Sequence, residues 1–221
     1  MSIATLVIGE SGTGKTASLR NLNPTHTLLI QTIRKPLPFR AAGWGYFDRE
    51  KNPKGNVFVA DRSHDIVALM RRTSRSIVVI DDWVYSLTTE YMSRSAERGF
   101  EKFAELGRHA WDVLTAATSL APTARVYVLS HTHTDDFGRV RPRTIGKLLD
   151  EKVVVEGMFS IVLRTMVEDN RFYLSTRNSG SDPVKAPIGM FDEPMIDNDL
   201  ALVDERVRAY YDIPERQHEV A

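Results

Sequence analysis

The sequence predicts an α/β domain built on a mostly parallel central sheet flanked by helices. Three observations predict it. Continuous apolar, β-branched runs (IATLVI, SIVVI, RVYVLS) read as strands buried on both faces. Segments with helical spacing alternate with such runs up to about residue 130. A glycine-rich loop joins the first strand to the first helical segment.

Ile3 to Ile8 ends in glycine and reads as a buried strand. Lys15 to Leu22 has helical spacing and stops at Asn23-Pro24. Thr27 to Ile33 is a second strand. The stretch KPLPFRAAGWGYFDREKNPKG, rich in proline and glycine, reads as a loop, with Lys35-Pro36-Leu37-Pro38 a rigid structural segment. Within it, Trp44, Tyr46 and Phe47 either cover the edge of the core or, beside Arg40 and Arg49, stack the bases of a single strand. Asn56 to Ala60 is a third strand. Ser63 is placed to cap a helix through Arg72, with Asp65 near its N-terminal end and Arg71, Arg72 and Arg75 at the other. Ser76 to Ile80 is a central strand ending in Asp81-Asp82.

From Trp83 to Leu120 there is no proline, and the pattern reads as two helices broken near Arg98-Gly99, with Phe100, Phe103 and Trp111 in the core. Arg125 to Ser130 is the next central strand, and HTHTDDFGRVRPRT is a polar loop or hairpin tip. Phe159 to Val167 and Arg171 to Thr176 flank Glu168-Asp169-Asn170 as a hairpin, giving an antiparallel C-terminal extension. NSGSDPVKAPIGMFDEP is irregular, and a last amphipathic helix runs from about Asp199 to Tyr211. The chain reads as a single domain over 1–221, with a core over about 1–180 and an extension over about 181–221.

Composition narrows the function. Lys plus Arg and Asp plus Glu both number 29, so no global field draws the chain to nucleic acid or to an anionic membrane. Contact with nucleic acid has to come from a local patch or from several subunits together. Cysteine is absent, which excludes disulfides, thiolate metal sites and a cysteine nucleophile, and fits a reducing cytoplasm. The first residues do not read as a signal peptide, and no apolar run approaches the roughly 20 residues of a membrane span.

GESGTGKT, Gly9 to Thr16, fits G-x-x-x-x-G-K-[ST] at every fixed position. A chance match in a chain this long arises about one time in a hundred, and the strand before it and helix after it tighten the reading. Glycines let backbone N–H groups turn inward around an anion. The motif assigns Gly9, Glu10, Ser11, Gly12, Thr13, Gly14, Lys15, Thr16 and Ala17 to binding ATP. Lys15 reaches the β- and γ-phosphate oxygens, and Thr16 holds Mg2+. The bland alternative is a glycine-rich turn with an incidental lysine.

A phosphate-bound Mg2+ needs a carboxylate at a neighbouring strand end, and Asp81 ends the SIVVID run. Asp82 either polarises the attacking water or caps the next helix. In VLSHTHTDD, Ser130 or His131 ends the following strand, where His131 can sense the γ-phosphate. His131, His133, Asp135 and Asp136 alternatively form a metal site, or only a polar loop. Arg139, Arg141, Arg143 and Lys147 meet ATP, touch a nucleic-acid backbone, or make a solvated basic loop.

There is no N-K-x-D guanine motif, and an additional strand is expected between the loop strand and the Asp81 strand. That resembles the additional-strand P-loop ATPases, which include RecA-like and AAA-type proteins. KPLPF, HTHTDDFGRVRPRTIGKLLDEKVVVEG, GMF and IDNDL more narrowly resemble phage-encoded RecA-like ATPases linked to single-strand annealing and recombination, over most of residues 3–203. The resemblance implies ATP binding, a homo-oligomeric ring or filament, single-stranded DNA binding, work beside single-strand-binding or replication proteins, and a host-cell cytoplasmic location. It also places Arg143 and Lys147 against a neighbour's ATP. RecA-like enzymes often end the second or third strand with a catalytic glutamate; here QTIRK has no acid, Asp61 ends the third strand, and Asp82 follows Asp81. The base is therefore open, and slow hydrolysis is expected. Two other classes compete: a nucleotide or small-molecule kinase with RVRPRT as its lid, and a non-hydrolysing ATP-bound adaptor or loader.

Overall fold

The computed structural model describes residues 1–145 and 153–214. Its described strands are β1 (Ile3–Gly9), β2 (Thr27–Gln31), β3 (Val57–Val59), β4 (Ile77–Asp81), β5 (Arg125–Thr134), β6 (Val140–Pro142), β7 (Ile161–Glu168), β8 (Arg171–Ser175) and β9 (Met195–Asp197). The helices are α1 (Ser63–Arg72), α2 (Val84–Ser93), α3 (Glu101–Thr118) and α4 (Leu200–Tyr210). The spatial order is β3-β2-β4-β5-β1-β7-β8-β9, with β6 paired to β5 alone. All neighbours from β3 to β7 run parallel, and β8 and β9 extend the sheet antiparallel.

The central strands read as continuous apolar runs because both faces are covered. Leu6, Ile8, Val78, Ile80, Val126 and Val128 face α1, α2 and α3 in one core cluster. Val7, Val79, Tyr127 and Leu129 face α4 and Leu19 in the other. Each such fully buried aliphatic side chain stabilises the fold by roughly 1.5–3 kcal/mol.

β5 lies between β1 and β4. Register then fixes the site. Gly9 sits opposite His131, and Gln31 opposite Asp81. The ends of β1, β2, β4 and β5 therefore converge on the glycine-rich loop.

Several elements differ from expectation. The segment after the loop is a six-residue 3-10 helix, Thr16–Asn21. Over so short a span a period of 3.0 and one of 3.6 bury the same side chains. Ser63 is the first helical residue of α1, and no side chain caps it. The break near Gly99 is present, and Gly99 takes φ +96, which favours glycine. The aromatics of that region are not all core. α3 buries Leu106, Ala110, Val113, Leu114 and Ala117, and Phe100 and Trp111 fall off this stripe at 88% and 49% exposure. Phe103 instead packs against Tyr91 at 6.0 Å.

The polar segment after Ser130 is a hairpin: β5 continues to Thr134 and β6 pairs back onto it. Asp169 and Asn170 join β7 to β8 with φ +48 and +61, the two-residue turn that suits right-handed strand twist. Trp44 and Tyr46 pack against the core edge, and Phe47 stacks on Phe58 at 4.6 Å. β9 had no sequence signal, since three residues show no period.

Candidate functional site

Gly12 and Gly14 take φ +83 and +94, the left-handed backbone that turns successive N–H groups toward one side. Gly9 is needed for a different reason. A Cβ there would lie 1.9 Å from Thr165 Oγ1, because Thr165 follows Arg164, which pairs with Ile8. Gly9→Ala therefore has to push β7 from β1, at about 1–3 kcal/mol. Chemical denaturation checks this, and Thr165→Ala in the same chain recovers part of the loss.

Lys15 is buried, and its Nζ donates to Gly9 O and Glu10 O, both at 2.9 Å. Burial lowers its pKa, against the pull of Asp82 and Asp81. Glu10 and Ser11 are exposed at the rim of the loop, and Thr13 Oγ1 meets Thr165 Oγ1 at 2.6 Å. Thr16 Oγ1 donates to Asp81 Oδ1 at 2.9 Å. This bond brings the loop and the β4 end together across 65 residues of chain.

Asp81 is 1% exposed, and its Oδ2 accepts no hydrogen bond; the Lys35 ammonium stands 3.5 Å away. Burial raises its pKa, with Lys35 opposing. A buried carboxylate oxygen without a hydrogen-bond donor suits a cation. The donor set therefore fits Mg2+ held by Thr16 and Asp81 with phosphate oxygens as the other ligands. Among the described residues no group of three or more His, Asp or Glu side chains could hold a metal. The alternative metal site at His131, His133, Asp135 and Asp136 is thus not formed.

Asp82 does not cap α2: Trp83 occupies that position, with no side-chain cap. Its backbone takes φ +59, a strained conformation of the kind that clusters at functional sites. Thr32 Oγ1 holds this corner by donating to Asp82 O at 2.8 Å. The Asp82 carboxylate meets Lys35 through Oδ2 and His131 Nε2 at 3.2 Å through Oδ1. His131 Nδ1 faces Lys15 Nζ at 3.4 Å. Burial alone would raise the Asp82 pKa, but His131 and Lys35 outweigh it and hold it at about 2.

Asp82 therefore stabilises the fold above its ordinary 3.8, and this is lost as the pH falls toward 2. The contribution is roughly 2 kcal/mol. Urea midpoints followed from about pH 5 downward check it: Asp82→Asn flattens the acid slope relative to the unaltered chain, and an unchanged slope contradicts the assignment.

Lys35 is the residue sequence reading missed. Its segment reads as structural, and its charge reaches the site only because β2 lies beside β4. Gln31 Nε2 and Tyr46 OH both donate to Lys35 O, at 3.1 and 3.0 Å, which fixes the backbone behind the ammonium. The lysine is favoured in its charged form: burial opposes this, and Asp81 and Asp82 outweigh it. Asp61 is not brought to the loop. β3 is at the sheet edge, with β2, β4 and β5 between it and β1, on the order of 15–20 Å away at ~4.8 Å per strand.

Arg143 lies beside the site through its backbone, with its N–H donating to His131 O at 2.7 Å, while its side chain is exposed. Lys147 lies outside the described residues. No helix among the described residues is long and apolar enough to cross a membrane. No known family model matches the chain, and no curated protein matches its sequence.

Proposed function

We propose that this chain is a RecA-like P-loop ATPase that binds ATP with Mg2+, assembles with copies of itself and acts on single-stranded DNA. The observation that carries the nucleotide part is the Thr16–Asp81 bond at 2.9 Å beside buried Lys15, with β5 between the loop strand and the Asp81 strand. Bound Mg2+ supplies neutralisation of charge on the β- and γ-phosphates. The chain's own residues do the rest. Loop N–H groups hold the phosphates, Lys15 offers its ammonium to the terminal ones, and His131 and Asp82 stand where an attacking water is oriented.

The DNA part rests on the β5–β6 hairpin. Its tip presents Phe137, 89% exposed, next to exposed Arg139 and Arg141, an aromatic with basic neighbours of the kind that stacks bases and tracks a backbone. Exposed Arg143 at the site's rim suits a contribution to a neighbour's ATP. One observation favours the adaptor or loader as second reading. With Asp82 held at about 2 and engaged by Lys35, it is a weak base, so turnover in this arrangement is slow.

ATP turnover with and without single-stranded DNA, with light scattering on the same samples, tests the proposal. DNA-stimulated turnover by a ring or filament is the expected result. Phosphate transferred to a nucleoside monophosphate overturns it in favour of a kinase. Tight ATP binding with negligible turnover and no DNA effect selects the adaptor.

A further inference from the structure

We infer that Phe172 on β8 is the nucleobase platform of this site, and that Asn198 selects an adenine nucleotide. The inference rests on the ATP reading above and adds where the nucleoside lies. The groups suited to the terminal phosphate and its metal, Asp81, Asp82 and His131, all come from the β4 and β5 side of β1. Phosphates laid in the loop with their terminal end there turn the nucleoside to the other side of β1. That side is built by β7, β8 and β9.

The wall there is made for close approach. A Cβ at Gly14 would lie 2.5 Å from Asn198 Nδ2 and 2.9 Å from Phe172 Cδ1, so the ring and the carboxamide press on the loop itself. Phe172 nevertheless remains 46% exposed beside the loop. An exposed aromatic ring beside a phosphate cradle is suited to stacking a base, since every base has a π-face.

Asn198 adds direction. It is buried, its Nδ2 donates to Gly14 O at 2.9 Å, and its backbone O accepts from Arg20. Its backbone N–H donates to Phe172 O at 3.2 Å, which ties the platform to the carboxamide. The carboxamide Oδ1 is buried with no hydrogen-bond partner. A buried acceptor without a donor is satisfied by an exocyclic amino group and disfavoured by a second acceptor. Adenine presents the amino group where guanine presents O6.

Calorimetric titrations with ATP, GTP and inorganic tripolyphosphate, each with Mg2+, test this on the full chain and on Phe172→Ala and Phe172→Tyr. The expected result is that Phe172→Ala weakens ATP about tenfold or more, leaves tripolyphosphate within about twofold, and that Phe172→Tyr restores ATP. The unaltered chain prefers ATP to GTP. Unchanged ATP affinity in Phe172→Ala overturns the platform, as does an equal loss for ATP and tripolyphosphate. Equal affinity for ATP and GTP overturns the role of Asn198. Failure of the unaltered chain to bind either ATP or tripolyphosphate overturns the phosphate site, and the platform with it.

Discussion

Lys15→Ala lowers affinity for Mg-ATP by at least about a hundredfold, roughly 2.7 kcal/mol, while the chain stays folded. Both halves follow from the same geometry. In the free protein the ammonium bridges Gly9 O and Glu10 O and faces His131 Nδ1 at 3.4 Å. It is a desolvated cation with a lowered pKa, so the fold gains little from it. Bound phosphate oxygens are the partners that would return that desolvation. Titration calorimetry reads the affinity, and a thermal melt reads the fold. Near-normal ATP affinity in the variant contradicts the site.

The second large effect lies away from the loop. Asp204→Ala destabilises the protein by about 3–5 kcal/mol, lowering Tm by on the order of 10 °C. Asp204 on α4 accepts from Arg125 Nε and Nη2, both at 2.9 Å, and from Tyr127 OH at 2.8 Å. All three side chains are buried, and burial with the adjacent carboxylate raises the Tyr127 pKa well above the usual range. Removing Asp204 leaves the Arg125 guanidinium buried and unpaired there. Arg125→Met with Asp204→Leu in one chain recovers most of the loss, because an apolar pair needs no desolvation of charge. If the single variant melts like the unaltered chain, the network is not holding α4.

That network bears on the loop as well. Two residues N-terminal to α4, Asn198 and Asp199, engage Arg20 and Asn21 of the 3-10 segment. Loosening α4 frees the wall beside Gly14. Asp204→Ala is therefore expected to weaken nucleotide binding in addition to stability.

What was legible in the sequence follows the same physics. The loop from Gly9 to Ala17 was readable because its backbone requirements and its lysine are consecutive. Asp81 was readable because an acid ends an otherwise continuous apolar strand. The break at Gly99 and the turn at Asp169-Asn170 were readable because left-handed backbone restricts residue choice. Lys35 was not, since its partners lie 46 and 47 positions on and meet it only through strand order. Arg125 and Asp204 are 79 residues apart, and nothing local marks either as paired. Phe172 and Asn198 likewise sit in an ordinary strand and an ordinary connection until β8 and β9 are laid beside the loop. Of the two readings of Asp82, the helix cap does not form: its strained corner turns the carboxylate toward Lys35 and His131 instead of along α2.

Gly9 to Ala17, completed by Asp81, is proposed above as a magnesium-dependent ATP site. The most direct measurement is a calorimetric titration of the full chain with ATP, with and without Mg2+, repeated on Lys15→Ala. Saturable binding at one site per chain, strengthened by Mg2+ and lost in the variant, is the expected result. No saturable binding at millimolar ATP, or binding that Lys15→Ala leaves intact, would contradict it.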